Sequence, residues 1–321
     1  MLFCPCQRDA KLLLISSPSG AIEEEILSET MLQSSHEPGF TVYEGDYPLF
    51  PVLLAVPHAG RNYPAELIAN LRTSPMSLLK LEDRYVDRLA LAARDIGFTT
   101  IVARRARAWI DLNRDPREID PDMVEASGQL LRRVSMPTIK VRGGLGLIPR
   151  RLTGYGELWR TRLSMDQVEA RIEQDHRPYH RAIETRLQEM KARFGAAILL
   201  DLHSMPPLSA ADPNPAPSIV VGDRFGQASG TRFSDTARAT MAQFGHVVAI
   251  NHPYAGGYVL SRHGNPRAGI HALQVEIDRA LYLDSQLRDL TDSAKYLSEQ
   301  IVVLAQSLVS ELGSELAIAA E

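Results

Sequence analysis

Short runs of apolar residues alternate along this chain with segments of helical periodicity, and this alternation restricts the folds that it can adopt. Uninterrupted apolar runs between turn signals are typical of buried strands. They predict strands at residues 52–56, 98–103, 108–112, 196–202, 218–222, 246–250 and 270–277. Apolar residues at helical spacing predict helices at residues 78–96, 165–194, 231–244 and 284–319. Strands that alternate with helices favour an α/β domain with a mostly parallel or mixed central sheet.

Two segments fall outside this regular pattern. Residues 1–40 mix polar and apolar side chains, and we expect them to form a loosely ordered N-terminal extension. Residues 115–160 are rich in Pro, Gly and Arg and predict a long excursion with little regular structure. Because 45% of the 321 residues are apolar, residues 41–321 can bury a sizeable core, and we expect them to form a single domain.

Composition excludes several classes of protein. The net charge is −4, with 35 basic and 39 acidic residues well mixed, so we expect no nucleic-acid partner. No apolar run approaches the roughly 20 residues that span a membrane, and the N-terminus does not resemble a secretion signal. Cys4 and Cys6 are too few for a disulfide framework. We therefore expect a reduced, cytoplasmic protein.

Two histidines follow buried strands. His58 comes after the run at residues 52–56, and His203 after the run at residues 196–202, with Asp201 two positions earlier. Ligands of open α/β sheets bind at the carboxyl ends of the strands, where such histidines would meet. A catalytic zinc ion typically takes three protein ligands and keeps one position open. The alternative for each histidine is a hydrogen bond that closes a strand.

Glu82 and Asp83 are the candidates for a third ligand. On the predicted helix they lie within or beside the apolar face, where a carboxylate is costly unless it is paired or bound to a metal. The alternative is an acid in the first turn that is favoured by the helix dipole. The pattern does not decide between the two residues.

Other polar residues have side chains suited to a substrate. Asn113 and Arg114 can bind a substrate carboxylate, and an arginine such as Arg107 can stabilise a developing oxyanion, although structural ion pairs are the usual role of arginine. Glu276 lies in an apolar strand and can act as a general base, or else form an ion pair with Arg279.

A glycine-rich segment at residues 256–264 carries hydrogen-bond donors just before the last predicted strand. Such a segment can close over a site, or it can be a simple turn. We expect Tyr258 and Arg262 to contact the substrate.

Several short motifs in series resemble the N-formylglutamate amidohydrolase family. They are residues 56–64 (VPHAGRNYP), 83–89 (DRYVDRL), 110–114 (IDLNR), 178–180 (PYH), 201–204 (DLHS), 256–258 (GGY) and 269–276 (GIHALQVE). The resemblance covers about residues 50–285 in order. It implies a three-layer α/β/α fold with a mixed sheet, similar to zinc carboxypeptidases and the aspartoacylase group.

The resemblance also implies residue roles and one catalytic zinc ion. Carried over by position, His58, His203 and Asp83 would bind the metal. Arg107 would polarise the scissile carbonyl, and Glu276 would be the general base and acid. Asn113 and Arg114 match a doublet that holds the substrate carboxylate.

The sequence departs from the wider group in two places. That group often uses His-x-x-Glu for two metal ligands, and Arg61 stands where the glutamate would be. The third ligand must therefore come from Glu82 or Asp83. Residues 115–177 also differ from the histidine-degrading members, so the acyl amino acid can differ.

Three functions remain open at this stage. The first is hydrolysis of a small N-acyl amino acid, foremost N-formylglutamate to formate and glutamate, with zinc or another divalent metal. The second is a carboxypeptidase or deacylase that acts on peptides or cell-wall fragments, which an open groove would favour. The third is a metal- or ligand-binding module without activity, which widely separated histidines would favour.

Overall fold

A seven-stranded mixed sheet forms the centre of the protein. The computed structural model describes residues 39–125, 138–210 and 215–320. The sheet strands are Phe40–Tyr43 (β1), Val52–Val56 (β2), Thr99–Ala103 (β3), Ala197–Met205 (β6), Ile219–Gly222 (β7), Val248–Ile250 (β8) and Ile270–Asp278 (β9), and a separate ribbon pairs Arg151–Leu152 (β4) with Gly156–Glu157 (β5).

Strand order places the central strands side by side in one direction. The order is β1-β3-β2-β6-β9-β7-β8. The neighbours β3, β2, β6 and β9 are parallel, whereas β1 and β7 pair antiparallel with β3 and β9. Because β2, β6 and β9 are adjacent and parallel, their carboxyl ends meet at one edge of the sheet.

Nine α-helices surround the sheet within the described ranges. They are Ala65–Ala69 (α1), Val86–Leu89 (α2), Leu91–Asp95 (α3), Ile139–Arg142 (α4), Met165–Arg171 (α5), Arg177–Phe194 (α6), Thr231–Gln243 (α7), Tyr258–His263 (α8) and Ser293–Ala320 (α9). A π-helical segment, Ile172–His176, joins α5 to α6, and 3-10 turns lie at Pro75–Lys80, Pro266–Ala268 and Arg279–Leu281.

Each face of the sheet carries its own apolar core. Successive side chains of a strand point to opposite faces. Leu53 therefore packs in one core with Ile183 of α6. Its neighbour Leu54 packs in the other core with Phe233 of α7 and Ile301 of α9. Helices thus cover both faces, which confirms the predicted three-layer α/β/α architecture with a mixed sheet.

The predicted helix over residues 78–96 is wrong. The chain forms the 3-10 turn Pro75–Lys80 and then the two short helices α2 and α3. Tyr85, which lies between the 3-10 turn and α2, adopts a left-handed conformation with φ of 60°. The Asp83 amide also donates to the carbonyl of His58 at 3.0 Å, a bond that a continuous helix would not allow. The segment nevertheless has apolar residues at helical spacing, because Val86 and Leu89 pack on the sheet.

The predicted strand over residues 108–112 is also wrong. These residues form a turn, with the Trp109 amide bonded to the Ala106 carbonyl at 2.9 Å. Ile110 and Leu112 are buried although no strand pairs with them. Burial without pairing produces the same apolar pattern as a strand, so the sequence could not separate the two.

The other predicted strands and the long amphipathic helices are present, with shifted ends. Strand β6 continues to Met205, so His203 lies inside the strand and not after it. The final helix begins at Ser293, later than predicted. The edge strand β1 was not predicted, and the expected extension lies outside the described residues up to position 38. In the part of the chain that the structure describes, no helix is both long and apolar enough to cross a membrane.

Replacement of Gly60 by alanine tests the close packing of the loop that carries His58. A Cβ atom at Gly60 would lie 2.1 Å from the carbonyl oxygen of Arg105, so the backbone would have to move. We expect Gly60→Ala to lower the free energy of unfolding by about 1–3 kcal/mol, measured in urea. The matched control is Gly313→Ala in α9, where a Cβ meets nothing within 4 Å. Equal stability of Gly60→Ala and the wild type would contradict this account.

Candidate active site

His58, Asp83 and His203 converge at the carboxyl ends of β2 and β6. One ligand atom from each residue lies within 4.8 Å of the others, and all three side chains are buried. The Nδ1 atom of His203 is 3.0 Å from Oδ2 of Asp83, and Nδ1 of His58 is 3.4 Å from the same oxygen. Three residues distant in sequence therefore form one compact group of metal-ligating atoms.

The outer nitrogen of each imidazole contacts a second carboxylate. Nε2 of His58 lies 2.7 Å from Oδ1 of Asp111, and Nε2 of His203 lies 2.9 Å from Oδ2 of Asp201. A carboxylate only accepts, so we assign a proton to each Nε2 and a lone pair to each Nδ1 when the rings are neutral. Nδ1 of His58 is buried without a hydrogen-bond partner. Carboxylate–histidine pairs of this kind orient the ligands of metal ions.

The carboxylates of this group favour the charged form. Burial opposes ionisation of Asp83, but the adjacent imidazoles of His203 and His58 hold its pKa well below the ordinary value. Burial likewise opposes ionisation of Asp111, and the Arg107 guanidinium and His58 keep that pKa well below its usual range. Negative charge is thus concentrated around the imidazoles, which suits a bound cation.

Of the two candidate acids, Asp83 and not Glu82 faces the histidines. Glu82 accepts a hydrogen bond from the Tyr63 hydroxyl and forms an ion pair with Arg84 at 2.9 Å. Burial raises the pKa of Glu82 despite these partners. Tyr63 and Arg84 therefore hold this carboxyl, and Asp83 completes the group with His58 and His203.

Glu276 lies beside the three-residue group. The register of the parallel pair β6–β9 sets His203 opposite Glu276. Its carboxylate accepts a hydrogen bond from Nε2 of Gln274 at 2.9 Å. Burial raises the pKa of Glu276, and the nearby charge of Asp83 raises it further. Arg279 does not pair with Glu276 but donates to Ser204, the Glu82 carbonyl and Asp83.

His58, Asp83, His203 and Glu276 line one cavity of about 330 Å³. Its polar lining is His58, Lys80, Asp83, Arg107, Asn113, Arg114, Lys140, His203, Ser204, Tyr254, Gln274, Glu276 and Arg279. Of these, the sequence had pointed to His58, Asp83, Arg107, Asn113, Arg114, His203 and Glu276 as site residues. A volume at the lower end of ligand pockets suits a small molecule.

Arg107, Asn113 and Arg114 are fixed by hydrogen bonds around the turn that replaces the predicted strand. Nε of Arg107 donates to Oδ2 of Asp111 at 2.8 Å. The Oδ1 atom of Asn113 accepts from the Val259 backbone amide at 2.8 Å, and Nδ2 of the same side chain donates to Oε1 of Gln274 at 3.4 Å. Arg114 donates to the carbonyls of Leu145 and Asn113, each at 2.9 Å. These bonds orient the side chains toward the cavity without free rotation.

Tyr258 and Arg262 do not line this cavity, and their contact with a substrate stays a prediction. Gly257 lines the cavity with its backbone, and α8 then leads the next side chains away. The Tyr258 ring packs against His180, with 5.1 Å between ring centroids. Arg262 is 3.5 Å from Glu184 in an exposed ion pair. In the GGY motif, the two glycines allow a ligand to approach the backbone closely. This property explains the motif better than the side chains that follow the glycines.

Several residues of the site were not found from sequence. Asp111 was noted only as part of the IDLNR motif, although the Asp-x-Asn spacing lets its carboxylate accept from the Asn113 amide at 2.8 Å. Lys80 and Lys140 are long side chains on short helical turns, and no local pattern distinguishes them from surface lysines. Gln274 lies on the same strand face as Glu276, because side chains two positions apart in a strand point the same way. This alternation could have identified Gln274 as a site residue from the sequence.

Three further histidines support the turn that carries Asn113. Nε2 of His180 donates to the Leu112 carbonyl at 2.9 Å, and His176 donates to the Arg114 carbonyl at 2.8 Å. His263 lies 2.9 Å from Nδ1 of His180. Burial lowers the pKa of all three, to about 3 for His263. The imidazoles are therefore neutral at pH 7, and they hold the carbonyl groups on both sides of Asn113.

Substitution of His180 tests this support. We expect His180→Phe to lower kcat/KM about 10- to 100-fold, as for other residues that orient a site through a neighbour. His180→Gln retains an amide donor and should recover part of the loss. His246→Phe, which removes a histidine bonded to Gln300 away from the cavity, is the control. Equal kcat/KM for His180→Phe and the wild type would show that the contact does not matter.

Comparisons with known proteins support the fold and identify the family. The profile of the N-formylglutamate amidohydrolase family matches residues 50–283. The chain is 27% identical over 243 residues to an N-formylglutamate deformylase of Pseudomonas aeruginosa, covering 74% of this chain and 83% of that protein. A deformylase of the same name from Pseudomonas putida is 26% identical over 238 residues, covering 73% and 82%.

A solved structure is similar over nearly the whole domain. The crystal structure of N-formylglutamate amidohydrolase from Ralstonia eutropha JMP134 superimposes with a TM-score of 0.79 at 29% identity, covering 87% of this chain and 100% of that one. The α/β fold, its cavity and these similarities place the protein among the amidohydrolases. The chain belongs to the N-formylglutamate amidohydrolase family.

Proposed function

We propose that this protein hydrolyses the amide bond of N-formylglutamate to give formate and glutamate. The observation that carries the proposal is the shared cavity, which is lined by Glu276, by the three metal-ligating residues and by basic side chains. Relatives named N-formylglutamate deformylase cover most of the chain and support the choice of substrate.

We infer that His58, Asp83 and His203 hold one divalent metal ion, most simply zinc. Three protein ligands with an open fourth position are the usual set of a catalytic zinc site. The unpartnered Nδ1 of His58 and the carboxylates behind both imidazoles fit such an ion. When bound, zinc supplies a Lewis acid and lowers the pKa of a bound water to about 7. Ligands without a thiolate also accept other divalent ions.

Glu276 is the proposed proton carrier. It takes a proton from the attacking water and delivers that proton to the nitrogen of the leaving amine. Burial raises the pKa of this carboxyl, which makes it a stronger base than an exposed glutamate. Arg107, held by Asp111, donates to the oxygen on which negative charge develops.

Asn113 and Arg114 are proposed to bind the α-carboxylate of the substrate. Both line the cavity and both are held by hydrogen bonds before a ligand arrives. A planar guanidinium beside an amide donor suits the two oxygens of a carboxylate. The reacting amide is thereby positioned next to Glu276, which removes much of the entropic cost of reaching the transition state.

The dimensions of the cavity favour this function over hydrolysis of peptides or cell-wall fragments. Lys140 and Leu145 of the 115–160 excursion form part of the wall, and the volume is about 330 Å³. A formylated amino acid fits such a space, whereas a polymer needs an open groove. A binding module without activity would gain nothing from a buried carboxyl such as Glu276, which accepts from Gln274 but forms no ion pair with a described residue.

Substitution of the two neighbouring acids tests the metal assignment. We expect Asp83→Asn to lose the bound metal, because it removes a charged ligand, and Glu82→Gln to retain it. The measurement is metal content per chain after dialysis, by elemental analysis. Glu82→Gln is the matched control, since it changes the adjacent buried carboxyl. Full metal content in Asp83→Asn would contradict the assignment.

Removal of the proposed base tests the chemistry. We expect Glu276→Gln to keep its metal but to release formate from N-formylglutamate at least about 100-fold more slowly, the low end for loss of a general base. Glu189→Gln on the exposed side of α6 is the control and should match the wild type. A fully active Glu276→Gln protein would refute the role of Glu276.

A further inference from the structure

Five basic side chains line the cavity. They are Lys80, Arg107, Arg114, Lys140 and Arg279. Two of these are neutralised by carboxylates of the protein. Arg107 pairs with Asp111 at 2.8 Å, and Arg279 pairs with Asp83 at 3.2 Å. The carboxylates of Asp111 and Asp83 largely neutralise these two guanidinium groups, which are therefore less available to bind a substrate anion.

Arg114 and Lys140 differ from this pair because neither forms an ion pair with a carboxylate among the residues that the structure describes. Arg114 donates only to backbone carbonyls, those of Leu145 and Asn113. Among residues 39–125, 138–210 and 215–320, no acidic side chain forms an ion pair with Lys140. Burial lowers the pKa of Lys140, and repulsion from Arg114 and Arg107 lowers it further. Neighbouring like charges at the cavity wall are destabilising until an anion binds between them.

Lys80 is the remaining cation, and an aromatic ring already contacts it. Its ammonium lies 4.8 Å from the centroid of the Tyr155 ring, within the range of a cation–π interaction. Lys80 therefore has a partner that Lys140 lacks. The two lysines form a matched pair for experiment, since both line the same cavity and carry the same charge.

We propose that Lys140 binds the side-chain carboxylate of the substrate and is the residue that determines the preference for an acidic side chain. This inference rests on the proposed function and assigns a residue to its specificity. One carboxylate satisfies Arg114 together with Asn113, but it leaves Lys140 uncompensated. A dicarboxylate satisfies both cations. A lysine ammonium on a flexible stem suits a carboxylate at the end of an equally flexible side chain.

The first test compares N-formylglutamate with N-formylglutamine, which has nearly the same shape but no charge on its side chain. We expect the wild type to favour N-formylglutamate in kcat/KM by roughly tenfold or more, as for a hydrogen bond between charged groups. Lys140→Met should lose most of this preference by lowering kcat/KM for N-formylglutamate alone. Lys140→Arg should retain part of it, and Lys80→Met should retain nearly all.

A second readout does not depend on turnover. Calorimetry of the metal-loaded protein with glutamate and with glutamine measures recognition of the side-chain charge directly. We expect the wild type and Lys80→Met to bind glutamate more tightly, and Lys140→Met to bind the two equally.

The outcomes separate this inference from the proposed function. Hydrolysis without preference for the acidic substrate, or an equal loss on both substrates in Lys140→Met, would overturn the inference and leave the proposed function intact. Selective binding of glutamate through Lys140 in a protein that hydrolyses no N-formyl amino acid would support the inference and refute the proposed function. Absence of both hydrolysis and charge-selective binding would refute both.

Discussion

The parallel alignment of β2, β6 and β9 is the constraint on which the rest of the site depends. It carries His58, His203 and Glu276 to one edge of the sheet, although they lie far apart in sequence. The apolar cores on both faces hold these strands in register, because a slip of one residue would turn His203 to the opposite face. The positions of the side chains at this edge therefore depend on the packing of the whole domain.

Charge balance explains the arrangement around that edge. Asp83, Asp111 and Asp201 surround the two imidazoles, and burying this much negative charge is costly unless cations compensate it. Arg107 and Arg279 supply part of the compensation, and a metal ion held by the Nδ1 atoms would supply more. Elsewhere in the cavity lining the imbalance is reversed, since Arg114 and Lys140 form no ion pair with any carboxylate in the described part of the chain. The proposed cation site and the proposed anion site thus share one cavity.

Much of the fold and part of the site could be predicted from the sequence. Buried strands such as Val52–Val56 were recognisable because a strand covered on both faces is continuously apolar. His58 and His203 stood out because each follows a continuous apolar run in the sequence. The break at Tyr85 and the turn at Asp111 were not recognisable, since local apolar spacing is the same whether a buried segment is helical, paired or irregular. Asp83 could be separated from Glu82 only by tertiary contacts with Tyr63 and Arg84.

The central claim is that three separate elements of the chain build one metal site beside Glu276. Anomalous diffraction from crystals of the metal-loaded protein, recorded on both sides of the zinc absorption edge, tests it most directly. We predict one strong peak about 2 Å from Nδ1 of His58, Nδ1 of His203 and a carboxylate oxygen of Asp83. Metal density bound elsewhere on the chain, with none between these three side chains, would contradict the account.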